Sequence, residues 1–104
     1  MKIADFRKLA LSFKGAIESS HMNHPDFRAG NKIFASLGQP DEAWAMVKLT
    51  PEQQSAMDQS DSEVFKPCNG AWGQRGYTNI YLPSAKKAIV KIVLQMAFEN
   101  VSSK

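Results

Sequence analysis

The chain has 104 residues, 43% of them apolar and 22% charged, with 13 Lys+Arg against 10 Asp+Glu for a net charge of +3. Its aromatic content and ordinary charge fraction exclude a disordered tail, the single cysteine excludes a disulfide scaffold, and apolar runs of only a few residues exclude a bilayer span. A chain of this size builds one core, so a single domain over residues 1–104 is expected. Met1-Lys2-Ile3-Ala4-Asp5 meets charge before any long apolar stretch, unlike a signal peptide, and with a free cysteine this points to the cytoplasm. Basic and acidic side chains cancel from Met1 to Pro83. The whole excess therefore sits in Lys86, Lys87, Lys91 and Lys104, opposed only by Glu99, a balance suited to a polyanion.

In chain order, Ile3, Phe6, Ala10 and Phe13 recur at helical spacing with Arg7, Lys8 and Lys14 opposite, which predicts a first helix ended by Gly15. Short β candidates follow: residues 16–22, a turn at His24-Pro25-Asp26, Phe27-Arg28, then Lys32 to Leu37. A turn at Gly38-Gln39-Pro40-Asp41 leads to a strand from Glu42 to Leu49. Thr50-Pro51-Glu52-Gln53 is the clearest local signal, an N-cap Thr, a Pro at the first helical position and a Gln completing a capping box. It predicts a helix to about Gln59. Beyond it come Val64-Phe65, a glycine-punctuated loop from Asn69 to Gly76 and a strand from Tyr77 to Leu82. Ser84 then caps a last helix with Ala85, Ala88, Ile89, Ile92, Val93, Met96 and Ala97 as one apolar stripe. That helix is expected to bury Ile89, Ile92 and Met96, so that Ile92→Asp unfolds the protein. Strands joined by short turns and flanked by helices make this an α+β chain, an antiparallel sheet packed by helices in two layers.

Candidate chemistry is sparse. His21, His24 and Cys68 are the soft metal ligands, but an i, i+3 histidine pair across a proline turn matches no zinc spacing, so no metal is expected. Cys68 reads as a small buried hydrophobe. The glycines of Asn69-Gly70-Ala71-Trp72-Gly73-Gln74-Arg75-Gly76 lack the GK[ST] of a phosphate loop and the strand–helix context of a dinucleotide fingerprint; they read as turn glycines that display Trp72 and Arg75 together. Strand parity puts Ile33, Ala35 and Leu37 against Lys32, Phe34 and Ser36. It likewise puts Ala43, Ala45, Val47 and Leu49 against Trp44, Met46 and Lys48, and Ile80 and Leu82 against Tyr77, Asn79 and Tyr81. Parity leaves open which set faces the helices, and the burial preference of large aromatics places Phe34, Trp44 and Met46 in the core. Lys86 and Lys87 in the first turn of the last helix oppose its dipole and could hold a phosphate there.

Five segments in order also resemble the MmcQ/YjbR family over essentially the whole chain. They are Phe6-Arg7-Lys8-Leu9-Ala10-Leu11-Ser12, His24-Pro25-Asp26-Phe27-Arg28, Lys32-Ile33-Phe34-Ala35, Val47-Lys48-Leu49 before Thr50-Pro51-Glu52-Gln53-Gln54, and Trp72-Gly73 with Gly76-Tyr77-Thr78. Position 77 is Tyr where that family often has Trp. The resemblance implies an α+β fold similar to secretion chaperones and a DNA-binding "double wing" arrangement, with no catalytic residues to carry over.

With no acid–base pair, activated nucleophile or cofactor motif in view, the expected protein is a non-enzymatic nucleic-acid binder, contacting chiefly the phosphates of duplex DNA and needing no cofactor. Arg28, Lys32, Arg75, Lys86, Lys87 and Lys91 are its candidate phosphate contacts, and Trp72 or Tyr77 its stacking side chain. The alternative is a protein-interaction module or homodimer that uses an exposed sheet face in the manner of a chaperone.

Overall fold

A computed structural model describes residues 1–38 and 41–102; Gln39 and Pro40 of the expected turn, and Lys104 of the C-terminal charge excess, lie outside them. Helix α1 (Ile3–Ala10) buries Phe6 and Ala10 and ends short of Gly15. The chain leaves the helix there because Phe13 is drawn inward, stacked on Phe98 at 5.1 Å and edge-on to Phe34 at 6.3 Å. Strands β1 (Ile17–His21) and β2 (His24–Ala29) follow. Their turn is Met22-Asn23, both at positive φ, rather than His24-Pro25-Asp26, because a two-residue loop of this kind matches the strand twist. Pro25 is tolerated inside β2 because it pairs with Ser20, the second pair from the turn. There its missing N–H faces away from β1, and pairing to the next strand starts only at Asp26.

Strand β3 (Lys32–Leu37) pairs with β2 through a bulge: Phe27 opposes Ala35, yet Arg28 opposes Ile33, leaving Phe34 as the extra residue. Hence both Phe34 and Ala35 are buried, and simple alternation across β3 fails. Strand β4 (Trp44–Lys48) leads into α2 (Pro51–Ser60), whose capping box forms as the sequence predicts. The Gln53 N–H donates to Thr50 Oγ1 at 3.1 Å, and the Thr50 N–H donates to Gln53 Oε1 at 3.0 Å. Strand β5 (Phe65–Pro67), a short helix α3 (Gly70–Gln74) in place of the expected loop, β6 (Tyr77–Tyr81) and α4 (Lys87–Ser102) complete the order. The six strands form one antiparallel sheet ordered β1-β2-β3-β4-β6-β5.

Helices α1 and α4 cover one face of that sheet, against Phe27, Phe34, Ala35, Val47, Ile80 and Phe65. The face that α4 buries is Val90, Val93, Leu94, Ala97 and Val101; of the predicted stripe Ala85, Val93 and Ala97 are buried, whereas Ala88, Ile89 and Ile92 are not. Ile92 is 56% exposed, Ile89 is exposed and Met96 is half-buried. Between Ala88 and Phe98 only Lys91 and Gln95 are polar, so two overlapping stripes satisfy the helical period, and the sheet selects the valine-rich one. Ser84 is not the cap either. It belongs to a 3-10 turn at Leu82–Ser84, and the first helical carbonyl is that of Lys86.

These placements reverse the expected mutational pattern. Ile92→Asp is expected to shift unfolding free energy by no more than about 0.5 kcal/mol, whereas Leu94→Ala loses about 2–5 kcal/mol. Urea unfolding of the two variants checks both values.

Candidate nucleic-acid interface

Directly opposed residues of antiparallel strands project to the same side of the sheet, so the ladder registers define the face that α1 and α4 leave uncovered. One row runs Ser19, Asp26, Ser36, Met46, Asn79, Lys66. Flanking rows pair Trp44 with Tyr81 and Lys48 with Tyr77. Trp44 and Met46 are thus half-buried on the uncovered face instead of lying in the core, and small Ala45 together with Val47 faces the helices. The preference of large aromatics for the interior loses here because the register places Ala45 and Val47 of β4 on the side that α4 covers, which turns Trp44 and Met46 to the other side.

Two aromatic pairs occupy the β4–β6 part of this face. The rings of Trp44 and Tyr81 lie 5.0 Å apart, and those of Trp72 and Tyr77 meet edge to face at 5.1 Å. Each member of the second pair carries a cation: Arg75 lies over Trp72 at 5.6 Å and Lys48 over Tyr77 at 5.7 Å. Trp72, on α3, is 58% exposed. Its helix and the residues just after it are pinned by two hydrogen bonds and two close backbone approaches. The Gln54 amide donates to the carbonyls of Gly73 and Tyr77 at 3.0 and 2.9 Å. Gly73 and Gly76 lie so close to the carbonyls of Cys68 and Leu49 that neither leaves room for a Cβ, and Gly76 sits at φ +104°. The turn-glycine reading of the sequence therefore holds for Gly70 and Gly76, while Gly73 is required by close approach alone.

Toward the β1 edge the same face is polar. The Asp26 side chain is 0% exposed. Arg28 Nε and Nη2 donate to its two oxygens at 2.8 and 3.0 Å, and His21 Nδ1 lies 2.7 Å from Oδ2. The Arg28 hydrogen bonds hold the Asp26 carboxyl below its ordinary range, burial opposes them, and His21 adds to the lowering. Ser36, next to Asp26 in the register, has a buried hydroxyl without a hydrogen-bond partner among the described residues. At the β5–β6 end of the face, Cys68 Sγ donates to Asn79 Oδ1 at 3.2 Å, and burial pushes its thiol up to about 11, which keeps it protonated at neutral pH.

The structure divides the candidates named from sequence. Trp72, Arg75 and Tyr77 are brought together. Arg28 shares their face, but its guanidinium is engaged by Asp26. Lys32 pairs with core-facing Ala29 and flanks, with Lys14 and Phe98, a shallow cavity of about 220 Å³ on the helix side. Lys86, Lys87 and Lys91 are exposed on or beside α4, also in the helix layer. Lys48 and Lys66 were absent from the candidates; the parity of β4 already put Lys48 with Trp44 and Met46, but its pairing to Tyr77 is visible only in the register.

A family model described as YjbR matches residues 11–100. The chain belongs to the YjbR family. Among solved structures, the YjbR-family chain is similar to the Deinococcus radiodurans protein DR2400, a DUF419 domain, with a TM-score of 0.82 at 14% identity over 99% of this chain and 80% of that one. At that identity the likeness concerns the fold. No curated protein matches this YjbR-family sequence.

Two outcomes test this geometry. Gly76→Ala, which meets the Leu49 carbonyl in a left-handed conformation, is expected to cost about 1–3 kcal/mol in denaturant unfolding. Because the folded pKa of Asp26 lies below the unfolded value, its stabilisation is complete above the unfolded pKa of about 3.9 and is lost as pH falls toward the folded one. Asp26→Asn is therefore expected to flatten the acid limb of a stability–pH curve below roughly pH 4 while lowering stability at neutral pH.

Proposed function

We propose that this chain is a non-enzymatic nucleic-acid-binding domain that works through the uncovered face of its sheet, contacting the phosphates mainly with Lys48, Arg75 and Lys66. The observation that carries this reading is the charge and aromatic balance of that face. Among its described strand residues the sole carboxylate is Asp26, already matched by Arg28 and His21, while cations flank the exposed Trp72 ring and the half-buried Tyr77 ring. A polyanion meets attraction there without a countering negative charge, and the rings offer planar surfaces to bases. The thiol of Cys68 stays protonated and His21 is tied to Asp26, which supports a binding role rather than a reaction. Duplex or single-stranded DNA satisfies the phosphate part of this reading equally. Among the described residues no helix is long and apolar enough to cross a membrane.

The experiment compares salt slopes. In fluorescence-anisotropy titrations, Lys48→Gln with Arg75→Gln is expected to flatten the log affinity–log salt slope by about 1.4–1.8 units, two phosphates at roughly 0.7–0.9 each. Lys87→Gln with Lys91→Gln is expected to leave it unchanged. If the α4 pair takes the slope instead, the binding surface is the helix layer. If the unaltered chain binds nothing even at low salt, the uncovered face is a protein or homodimer docking surface.

A further inference from the structure

Resting on the nucleic-acid reading, a more specific ligand follows from how β4 and β6 space their side chains. Tyr77 and Tyr81 are four residues apart on one strand and each is paired with a tryptophan, so the backbone positions that carry the two ring pairs stand about 14 Å apart. Bases in a helical stack rise only about 3.4 Å per step and hide their planes from one another. Two separated platforms instead suit a strand drawn out along β6, with two unstacked bases on the rings and at least one nucleotide between them. Met46 and Asn79 occupy that interval, opposed to each other in the register. With Asn79 Oδ1 accepting from Cys68, the Asn79 amide is oriented with its N–H donors available. An amide donor beside an apolar thioether matches the O4 carbonyl and adjacent methyl of thymine, and suits adenine less well, since a paired contact to adenine needs the amide oxygen as well.

We propose that the uncovered face binds single-stranded DNA, with the Trp72–Tyr77 and Trp44–Tyr81 pairs stacking two bases and the Asn79–Met46 pair reading a thymine between them. Arg75 and Lys48 lie over the Trp72 and Tyr77 rings in the free chain, and a base that stacks there displaces these side chains toward the phosphates of the same strand. One polyanionic ligand that meets the cations and the accessible parts of these rings accounts for both features of the face.

The test uses labelled oligo-dT, oligo-dA, oligo-U and a hairpin duplex at low salt, with the full chain and circular dichroism to confirm folding of each variant. Oligo-dT is expected to bind more tightly than the duplex and to quench tryptophan fluorescence. Trp72→Leu and Trp44→Leu are each expected to weaken single-strand binding about five- to a hundredfold. Asn79→Ser is expected to weaken oligo-dT about fivefold and oligo-dA hardly at all. Should Trp44→Leu fail to fold, the quenching of the unaltered chain and Trp72→Leu still decide. Duplex binding equal to or tighter than oligo-dT, with no loss in the tryptophan variants, overturns the single-strand proposal and leaves the phosphate-binding reading intact. Oligo-U as tight as oligo-dT, or an unmoved Asn79→Ser, overturns the thymine assignment. No binding by any of the four probes overturns the nucleic-acid reading itself.

Discussion

The arrangement depends on one-sided burial of the sheet. Helices α1 and α4 share a single face, where Phe6, Phe27, Phe34, Val47, Ile80 and Leu94 are fully enclosed. Fully burying a side chain of this kind stabilises the fold by about 1.5–3 kcal/mol. Once both long apolar stripes are committed to that face, only the short α3, through Trp72 on Tyr77, reaches the other, and Trp44, Met46, Tyr77 and Tyr81 stay half-buried there. Their partial exposure follows from the helix count and placement, and it is what makes the face available to a ligand.

The bulge in β3 and the tight approach of α3 adjust this plan locally. By adding Phe34 to the core without displacing Ala35, the bulge fills the space between the ends of α1 and α4 with the Phe13–Phe34–Phe98 cluster. Near the other end of the sheet, Gly73 and Gly76 let α3 lie directly on the backbone, and Gln54 ties it to α2. Asn100 of α4 donates to the Lys48 carbonyl at 3.0 Å and to Gln53 at 2.8 Å, so the helix layer and the strand bearing Lys48 are joined where the aromatic–cation cluster stands. The partly exposed rings are thereby held on ordered elements, which lowers the entropy lost when a ligand settles on them.

Much of this was legible in the sequence where a local rule has one solution. The capping box at Thr50–Gln53 and the strand at Lys32–Leu37 stand where the residues put them, and the family pattern implied the α+β architecture the structure has. What misled were the places where two solutions fit the same local rule. The α4 stripe could be read through Ile89 and Ile92 or through Val90 and Leu94, because apolar residues nearly encircle the helix. The parity of β4 was read correctly as two sets, but which set meets the helices is decided by close packing over Ala45 and Val47, a tertiary matter. The same limit applies to the site. Trp72, Arg75 and Tyr77 adjoin in sequence, whereas Lys48 joins them only across the β4–β6 ladder, and Lys86, Lys87 and Lys91 stand out in composition but lie in the other layer.

The central claim is that the sheet face left bare by α1 and α4 is the one that meets nucleic acid. Amide chemical-shift mapping during titration with a short DNA strand at low salt tests it most directly, because it reports on both layers at once. The account predicts perturbations concentrated at residues 44–48 and 77–81, with both tryptophan indole N–H signals moving and α4 silent. Shifts confined to Lys86, Lys87, Lys91 and their neighbours, with the β4 and β6 amides unmoved, contradict it.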